Sequence, residues 1–484
     1  MKKQTYKKLG IAIGTILALG FSGAAANAAD AVKTESASQT VANALAHPAK
    51  QVNFDNMLLA DKLPQAAAPA DAESVNIDLK SAVATAIENN RDIKISEYSL
   101  KEAEAAVGEA AAAKNPSLSY TWGGSRSQSW GAGATGLKKV YETGYSNGLD
   151  VTWVLWTGGQ VEGLIDAARY QRDAAEEAVY LQEAQTKLDA TSAYYQYLEA
   201  INLADVSKES VDNLTGHLTN VQQQYNAGIV AKLDVLSSNV SLANAKQSYI
   251  TAENARDVAE ANLANIMRIP MNTKLVPADT HFPEPEFTIS MDQALAAADK
   301  NRWEIARAQY AYLAAKEQVK VAKAGYMPSV SVSGGYNWQD QDFPGFDNEG
   351  WSVKGGLSWS LWDGGATSSK IKSAQAALAS AEETLAQARE SVALEVRQDY
   401  LSIQAAKEKI RATEAAVAEA EEAYKIATVR YKSGVGINLD VLDAQLNLNS
   451  ARTNYITAMY DYNVGLATLE KAIGIPAVVR PVKK

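Results

Sequence analysis

Two short glycine-containing turns lie at matching places in two related halves of this 484-residue chain. The second turn, residues 431–443, contains Gly434 and Gly436, and the first, residues 225–236, contains Gly228 and lies 206 positions earlier. Glycine adopts backbone conformations that are costly for other residues, and an acidic residue just after such a turn suits the positive end of a new helix. We therefore interpret each turn as the tip of a helical hairpin, and their recurrence predicts a duplicated protein.

Each half repeats one order of patterns: a helix, two strands with alternating apolar residues, a long helix, the tip and a returning helix. Helical and alternating periodicities predict these elements of the first half: helix 79–114, strand 117–122, a polar glycine-rich loop 126–145, strand 149–156, and helices 160–225 and 233–267. Those of the second half are helix 290–325, strand 329–339, an acidic loop 340–350, strand 351–362, and helices 366–430 and 438–473. The fold class predicted is mainly α, with a duplicated helix-strand-strand-helix-helix unit.

The N-terminus has the pattern of a secretory signal peptide. Four lysines precede an apolar run over residues 9–23, which is followed by the small-residue cleavage pattern Ala26-Asn27-Ala28. The chain contains no cysteine, so it has neither disulfides nor the lipidated cysteine of a bacterial lipoprotein. The domains that we expect are a signal peptide 1–28, a low-complexity linker 29–76, the first repeat 77–270, a Pro-rich joint 271–288, the second repeat 289–476 and a short tail 477–484.

Charge and composition argue against several classes of function. The formal net charge of −10 becomes about −14 without the four N-terminal lysines, which is unfavourable for binding nucleic acid. The three histidines are isolated in sequence, so neither a metal site nor another cofactor is predicted. No nucleophile–base set suggests an enzyme. Residues 131–136 match the glycine spacing of a dinucleotide fingerprint, but they do not open a helix, and we interpret them as a loop.

The four strands have aromatic and aliphatic residues on one face and Ser, Thr and Gly on the other. This alternation is typical of an outer-membrane β-barrel, although an amphipathic sheet over a soluble core would also suit any single strand. Tryptophans near the strand ends favour a membrane interface: Trp122, Trp153, Trp338, Trp351 and Trp359. Because four strands cannot close a useful barrel and open edges are not tolerated in lipid, several chains must contribute. Three chains would give twelve strands, so we expect a homotrimer.

The long helices have the seam of a coiled coil. Apolar residues recur at heptad spacing: Ile371, Ala374, Leu378, Ala381, Leu385, Ala388 and Val392. A helix of about 65 residues is roughly 100 Å long and must lie beside others in an extended assembly. A filamentous coiled-coil scaffold is the alternative that this pattern leaves open.

The ordered set of patterns over residues 79–476 resembles the TolC-like outer membrane efflux proteins. The resemblance includes the duplication, both tips and the strand-to-helix turns at 156–159 and 362–365. It implies a trimer with a twelve-stranded transmembrane β-barrel in the outer membrane, continued by a long α-helical barrel through the periplasm. It also implies an exit duct for drug efflux or type I secretion, which docks a periplasmic adaptor (membrane fusion protein) and works with an inner-membrane pump.

The resemblance further implies a periplasmic gate at the tips. Tyr431, Asp440 and Asp443 match the family's gate tyrosine and two acidic constriction residues, and Asp234 matches the acidic partner in the first copy. Gly436 stands where the family's best-known member has an arginine that latches the closed gate, so a salt-bridge latch is not expected. The surface that receives the adaptor corresponds to the two tips, with Gly228, Ile229, Val230, Gly434, Val435 and Gly436.

The residues by themselves support the gate only in part. Asp440 and Asp443 lie one helical turn apart and share a face, so a trimer would present six carboxylates that favour cations. Alternatively, Asp440 simply complements a helix N-terminus. The function expected is an exit duct in the outer membrane of a diderm bacterium, in contact with outer-membrane lipid, and a periplasm-spanning tether without transport is the alternative.

Overall fold

Residues 74–133 and 136–477 are described by the structure, a computed structural model. The first copy begins with a short strand and two helices, followed by two long strands and two long helices. Their bounds are β1 Ser74–Ile77, α1 Leu79–Asn89, α2 Arg91–Ala112, β2 Ser117–Gly133, β3 Gly136–Trp156, α3 Gln160–Asn226 and α4 Lys232–Met267. The predicted signal peptide, the linker up to residue 73 and the tail after residue 477 lie outside the described residues.

The second copy repeats this order after the joint. Its bounds are β4 Lys274–Pro277, α5 Met291–Asn301, α6 Trp303–Lys323, β5 Ser329–Asp340, β6 Asn348–Ser358, α7 Ala366–Lys432 and α8 Asn438–Ala472, with a 3-10 turn at Ala324–Tyr326. The four long helices agree closely with the predicted ranges. None of the described helices is both long enough and apolar enough to cross a membrane.

Two predicted helices are each interrupted once. The first ends at Asn89, and the Oδ1 atom of Asn90 accepts hydrogen bonds from the backbone N–H groups of Asp92 (2.7 Å) and Ile93 (3.1 Å) to begin α2. An asparagine that caps a new helix in this way competes with continuation of the old one. In the second copy the interruption falls at Arg302, between α5 and α6.

The predicted linker and joint contribute one small parallel sheet. β1 pairs with β4 from Ser74↔Lys274 to Ile77↔Pro277. Leu275 of this pair is almost completely buried, and its carbonyl accepts a hydrogen bond from the hydroxyl of Tyr197 (2.8 Å). The last residues of the predicted linker therefore belong to the folded structure.

The larger sheet has the order β2-β3-β5-β6, which leaves β2 and β6 as its edges. β2 and β3 are antiparallel and pair without a bulge from Ser117↔Thr152 to Gly133↔Gly136. The predicted loop over residues 126–145 is therefore wrong, because these residues continue both strands. The last predicted strand is also shifted: β6 begins three residues before the predicted start and ends at Ser358, before Trp359.

The chain divides into two compact units, one containing Ser117–Thr152 and Ser333–Lys354 and the other containing the helices. In the helical unit, each copy has its own hydrophobic core. The first core contains Tyr194, Leu198 and Leu263, and the second contains Val396 and Ile403. The predicted heptad seam of α7 is confirmed: its seven apolar residues are buried or half-buried, whereas the residues between them are exposed.

Candidate functional site

The two helical tips have the same backbone geometry. Gly228 and Gly434 have φ angles of 76° and 75°, the left-handed region that favours glycine. One residue later, the N–H of Ile229 donates to the carbonyl of Gln224 (2.9 Å), and the N–H of Val435 donates to the carbonyl of Arg430 (3.1 Å). These bonds end α3 and α7 in the manner of a glycine-terminated helix. The structure thus places both predicted tips where the sequence indicates them.

Gly436 lies in a closely packed part of the second tip. A Cβ at this position would lie 3.0 Å from the backbone nitrogen of Tyr431 and 3.1 Å from the carbonyl carbon of Arg430. Contacts in this range are tight, so the neighbouring backbone would have to shift by a few tenths of an ångström. A larger side chain is therefore disfavoured at this position.

A buried group of hydrogen bonds joins the two copies beside the tips. We call this group the tip clasp; it consists of His217 on α3, Ser238 on α4, Asn438 on α8 and the backbone carbonyl of Asp234. The Oδ1 atom of Asn438 lies 2.7 Å from His217 Nε2 and accepts a hydrogen bond from the Ser238 hydroxyl (3.1 Å). Its Nδ2 donates to the Asp234 carbonyl (3.3 Å). Because all three side chains are buried, separating the copies would leave polar groups without partners in the interior, which is costly.

Tyr431 packs against the tip clasp. Its ring lies 5.0 Å from the ring of His217, and it belongs to a small hydrophobic cluster with Val221, Val235 and Val441. Burial raises the pKa of Tyr431, and the nearby Asp234 raises it further. Burial likewise lowers the pKa of His217, so that the neutral imidazole is favoured. The predicted gate tyrosine is thus an interior residue that holds the two hairpins together within one chain.

The two predicted constriction acids lie on the surface instead. Asp440 is in the first turn of α8, and Asp443 follows one turn later; both are exposed. Asp443 lines a groove between α4 and α8 together with Ser237, the residue at the matching position of the first copy. Asp234 is half-buried in the first turn of α4. Among the predicted gate residues, Tyr431 is therefore buried, Asp234 is half-buried, and Asp440 and Asp443 are exposed.

The residues predicted to receive the adaptor include one exposed apolar side chain at each tip. Ile229 and Val435 are 70% and 69% exposed, although both are apolar. Each follows the left-handed glycine of its tip and projects beyond the last helical turn. Single exposed apolar residues are common, but a β-branched aliphatic residue at the same place in both copies is a repeated surface feature.

The predicted membrane tryptophans lie on or beside the four-stranded sheet. Trp122, Trp153, Trp351 and Trp359 are exposed, while Trp338 is half-buried under Phe346 (ring centroids 5.8 Å apart). Leu118, Tyr120, Leu149 and Val151 continue the exposed apolar face. Trp153 and Trp359 are equivalent in the two copies, and each donates its indole N–H to a backbone carbonyl just before a strand, at Lys114 (2.8 Å) and Tyr326 (3.0 Å).

The loop between β5 and β6 folds back over the apolar face of the sheet. Phe343 packs edge-on against Trp122 and Tyr145, with ring centroids 6.4 and 5.6 Å away. The buried amide of Asn147 donates to the carbonyls of Pro344 (2.9 Å) and Gly345 (3.1 Å), and its Oδ1 atom accepts from the Tyr120 hydroxyl (2.5 Å). Asn147 thus fastens this loop to the β2–β3 hairpin.

The roles of His217 and Asn438 are not evident from the sequence. Their hydrogen bond joins residues 221 positions apart in different copies, which no local pattern reveals. One signal was present: Ser210, Leu214, His217 and Val221 follow heptad spacing, and all four are buried. A histidine on such a seam indicates a buried polar contact rather than a solvated side chain.

Comparison with known proteins gives consistent matches over most of the chain. The chain is 25% identical to the outer membrane protein TolC of Escherichia coli strain K12 over 368 residues, 70% of this chain and 73% of that protein. It is 28% identical to protein CyaE of Bordetella pertussis strain Tohama I over 365 residues, 74% of this chain and 75% of that protein.

The fold is also similar to solved structures. The CmeC outer membrane channel of Campylobacter jejuni superposes with a TM-score of 0.73 at 18% sequence identity, covering 82% of this chain and 85% of that one. The family model described as outer membrane efflux protein matches residues 82–267 and 294–475, one segment in each copy. The chain therefore belongs to the outer membrane efflux protein family.

Proposed function

We propose that three copies of this chain form an exit duct in the outer membrane, and that the duct serves an efflux pump or a type I secretion system. Each chain contributes four strands to a twelve-stranded barrel and four long helices to a periplasmic tube. The relatives support this proposal, because the matched proteins include efflux-pump outer membrane proteins such as the solvent efflux protein SrpC of Pseudomonas putida.

The observation that carries this proposal is the exposed apolar face of the four-stranded sheet. From Asn147 to Trp156, β3 has about the length that a tilted strand needs to cross the hydrocarbon core, roughly 9–11 residues. From Leu149 to Trp153 its exposed apolar side chains alternate with Asp150 and Thr152, as in strands between lipid and a watery lumen, and an exposed apolar run follows to Trp156. The edges β2 and β6 have unpaired backbone groups, which lipid does not tolerate. Pairing of β6 in one chain with β2 of the next removes every edge.

The tips support docking of a periplasmic adaptor. Ile229 and Val435 offer one exposed apolar side chain at each hairpin end, so a trimer presents six. Burying such apolar side chains against a partner removes them from water, which favours binding. The periplasmic adaptor joins these ends to an inner-membrane pump.

The gate in this proposal has two layers. The tip clasp and Tyr431 hold the two hairpins of one chain together, and Asp440 and Asp443 provide a ring of six carboxylates in the trimer. Both acids are exposed, as residues that line a water-filled passage must be. Closely spaced carboxylates repel one another and bind cations, so the ring is a cation-selective constriction.

Single-channel recording tests this function. The purified protein in planar bilayers should conduct, and divalent cations added on the tip side should block the current. Replacing both acids, Asp440→Ala with Asp443→Ala, should weaken this block about tenfold or more because the cation ligands are lost. The matched control is Ser237→Ala, which changes the equivalent first-copy position without removing a charge.

Two results would count against the proposal. Unchanged divalent block in the double variant would remove the two acids from the constriction while leaving the duct intact. A protein that inserts into the bilayer but never conducts, with or without these substitutions, would instead favour a structural tether.

A further inference from the structure

The β2–β3 hairpin continues far beyond the length that a membrane requires. Beyond Trp122 and Asn147, the two strands remain paired to Gly133↔Gly136. In the second copy β5 already ends at Asp340 and β6 begins only at Asn348, so this extension has no counterpart there. We call residues 124–133 and 136–145 the projecting ribbon.

The register shows which residues of the ribbon share the apolar, lipid-facing side of the sheet. Trp122 pairs with Asn147 and Tyr120 with Leu149, so even positions of β2 and odd positions of β3 lie on that side. The absence of a bulge extends this rule to the end of the described ribbon. The larger side chains there are therefore Arg126, Gln128, Trp130, Leu137, Lys139 and Tyr141, all exposed, and the half-buried Tyr145 at the base of the ribbon.

This side of the ribbon is basic and aromatic, with no acidic residue. Arg126 lies over the ring of Tyr141 and Lys139 over the ring of Trp130, each 5.5 Å from the ring centroid. Neither cation forms an ion pair with another residue in the described part of the chain. Stacking on an aromatic ring fixes a cation without using its hydrogen-bond donors. The ribbon's acid, Glu142, is at an even position of β3 and lies on the opposite side.

The position of Asn147 indicates how far the ribbon extends beyond the apolar band of the sheet. Its amide and the loop carbonyls that it binds are polar, so this level marks the end of the apolar band. Arg126 is four residues beyond Trp122, and Lys139 eight beyond Asn147. At about 3.4 Å per residue and a tilt of roughly 40°, the two cations lie about 10 and 20 Å above that level. These heights correspond to headgroups and the sugars attached to them.

We propose that the apolar-side face of the projecting ribbon binds the phosphorylated glycolipid of the outer leaflet. Arg126 and Lys139 would contact its phosphates, and Trp130, Leu137 and Tyr141 its sugars and the headgroup boundary. The surface is continuous with the lipid-facing wall and carries positive charge in a chain whose net charge is −10. This inference rests on the proposed outer-membrane duct, which sets the side on which the ribbon projects.

A matched pair of variants tests the inference. Lys138 is adjacent to Lys139 and equally exposed, but it lies on the opposite side of the ribbon. The full chain in detergent is titrated with a short-chain phosphorylated lipopolysaccharide, and binding is measured by thermophoresis. The double variant Arg126→Gln with Lys139→Gln should bind at least tenfold more weakly, whereas Lys138→Gln should change the affinity less than twofold. The same glycolipid without its phosphates should bind the unaltered protein at least tenfold more weakly.

Each other outcome overturns the inference. Equal affinity of the double variant and the unaltered protein would remove the two cations as the site. If Lys138→Gln lost as much affinity for the glycolipid, the effect would come from net charge and not from the position of the cations. Equal binding of the dephosphorylated glycolipid would exclude phosphate recognition. Conductance of the same variants separates this result from the proposed function: normal channels with unchanged glycolipid affinity contradict only the ribbon site.

Discussion

At the scale of single residues, backbone requirements could be predicted and long-range contacts could not. Gly228 and Gly434 were predicted from a local pattern because a positive φ angle is a local requirement. His217 and Asn438 meet only after the two copies pack together, so neither shows its role in sequence. The gate positions Asp440, Asp443 and Asp234 remain predictions, since exposure alone does not show that they line a pore.

His217 should make the tip sensitive to acid. Its pKa in the folded state lies below the ordinary value of 6.5, so the unfolded chain binds a proton first as the pH falls. Stability from the tip clasp is therefore complete above about pH 7 and decreases below it. The variant His217→Gln keeps an amide for Asn438 but cannot titrate. Its melting temperature should fall less between pH 7.5 and pH 5.5 than that of the unaltered protein.

The control for this prediction is His281→Gln, which removes an exposed histidine from the joint. It should leave the pH dependence unchanged. If His217→Gln and the unaltered protein lose the same number of degrees on acidification, His217 is not the group that titrates.

Asp399 should have the opposite pH dependence. The pKa of Asp399 is raised from its ordinary 3.8 to about 6, mainly by burial and also by Glu395, while Arg302 and Lys471 oppose the shift. Because the folded state holds this proton more tightly, Asp399 lowers stability increasingly as the pH rises from 3.8 to 6. Asp399→Asn should therefore stabilise the protein by about 1 kcal/mol at pH 7.5, after allowing for partial solvent screening.

Chemical denaturation at pH 7.5 and pH 4.5 measures this effect. The gain from Asp399→Asn should shrink markedly at the lower pH, where aspartate is already protonated in the folded state. A gain of equal size at both pH values would show that the substitution acts through packing instead.

At the scale of elements, periodicity predicted the helices better than the strands. The heptad seam from Ile371 to Val392 gave a long helix whose bounds the structure confirms within two residues. The strands beyond residue 126 were predicted as a loop because Ser and Gly are frequent there and no face is buried. A hairpin without a buried face needs no apolar alternation, so its pairing is visible only in the structure. The helix break at Asn90 was missed for a related reason: capping residues also occur inside helices.

The exposed apolar residues of the two tips can be tested for their role in adaptor binding. Replacing both exposed apolar residues, Ile229→Ser with Val435→Ser, should weaken association with the periplasmic adaptor about tenfold, since two apolar contacts are lost per chain. Met271→Ser is the control, because Met271 is similarly exposed (64%) but lies on the joint. Binding is measured by interferometry with the immobilised adaptor. Unchanged affinity of the tip variant would place the docking surface elsewhere.

At the scale of the whole molecule, we propose that one chain forms only part of the barrel and of the helical tube. Family membership and the fold follow from the comparisons and the structure, and both agree with what the sequence predicted. The assembly cannot be derived in the same way, because no single element determines the number of chains. We infer assembly from two unpaired edges, β2 and β6, and from the exposed apolar face of the sheet, which we propose is covered by lipid.

The mass of the assembly in detergent tests this central claim most directly. Native mass spectrometry of the protein extracted from outer membranes should give three chains per particle, and the same particles should conduct in planar bilayers. A stable single chain that neither assembles nor inserts into lipid would contradict the account.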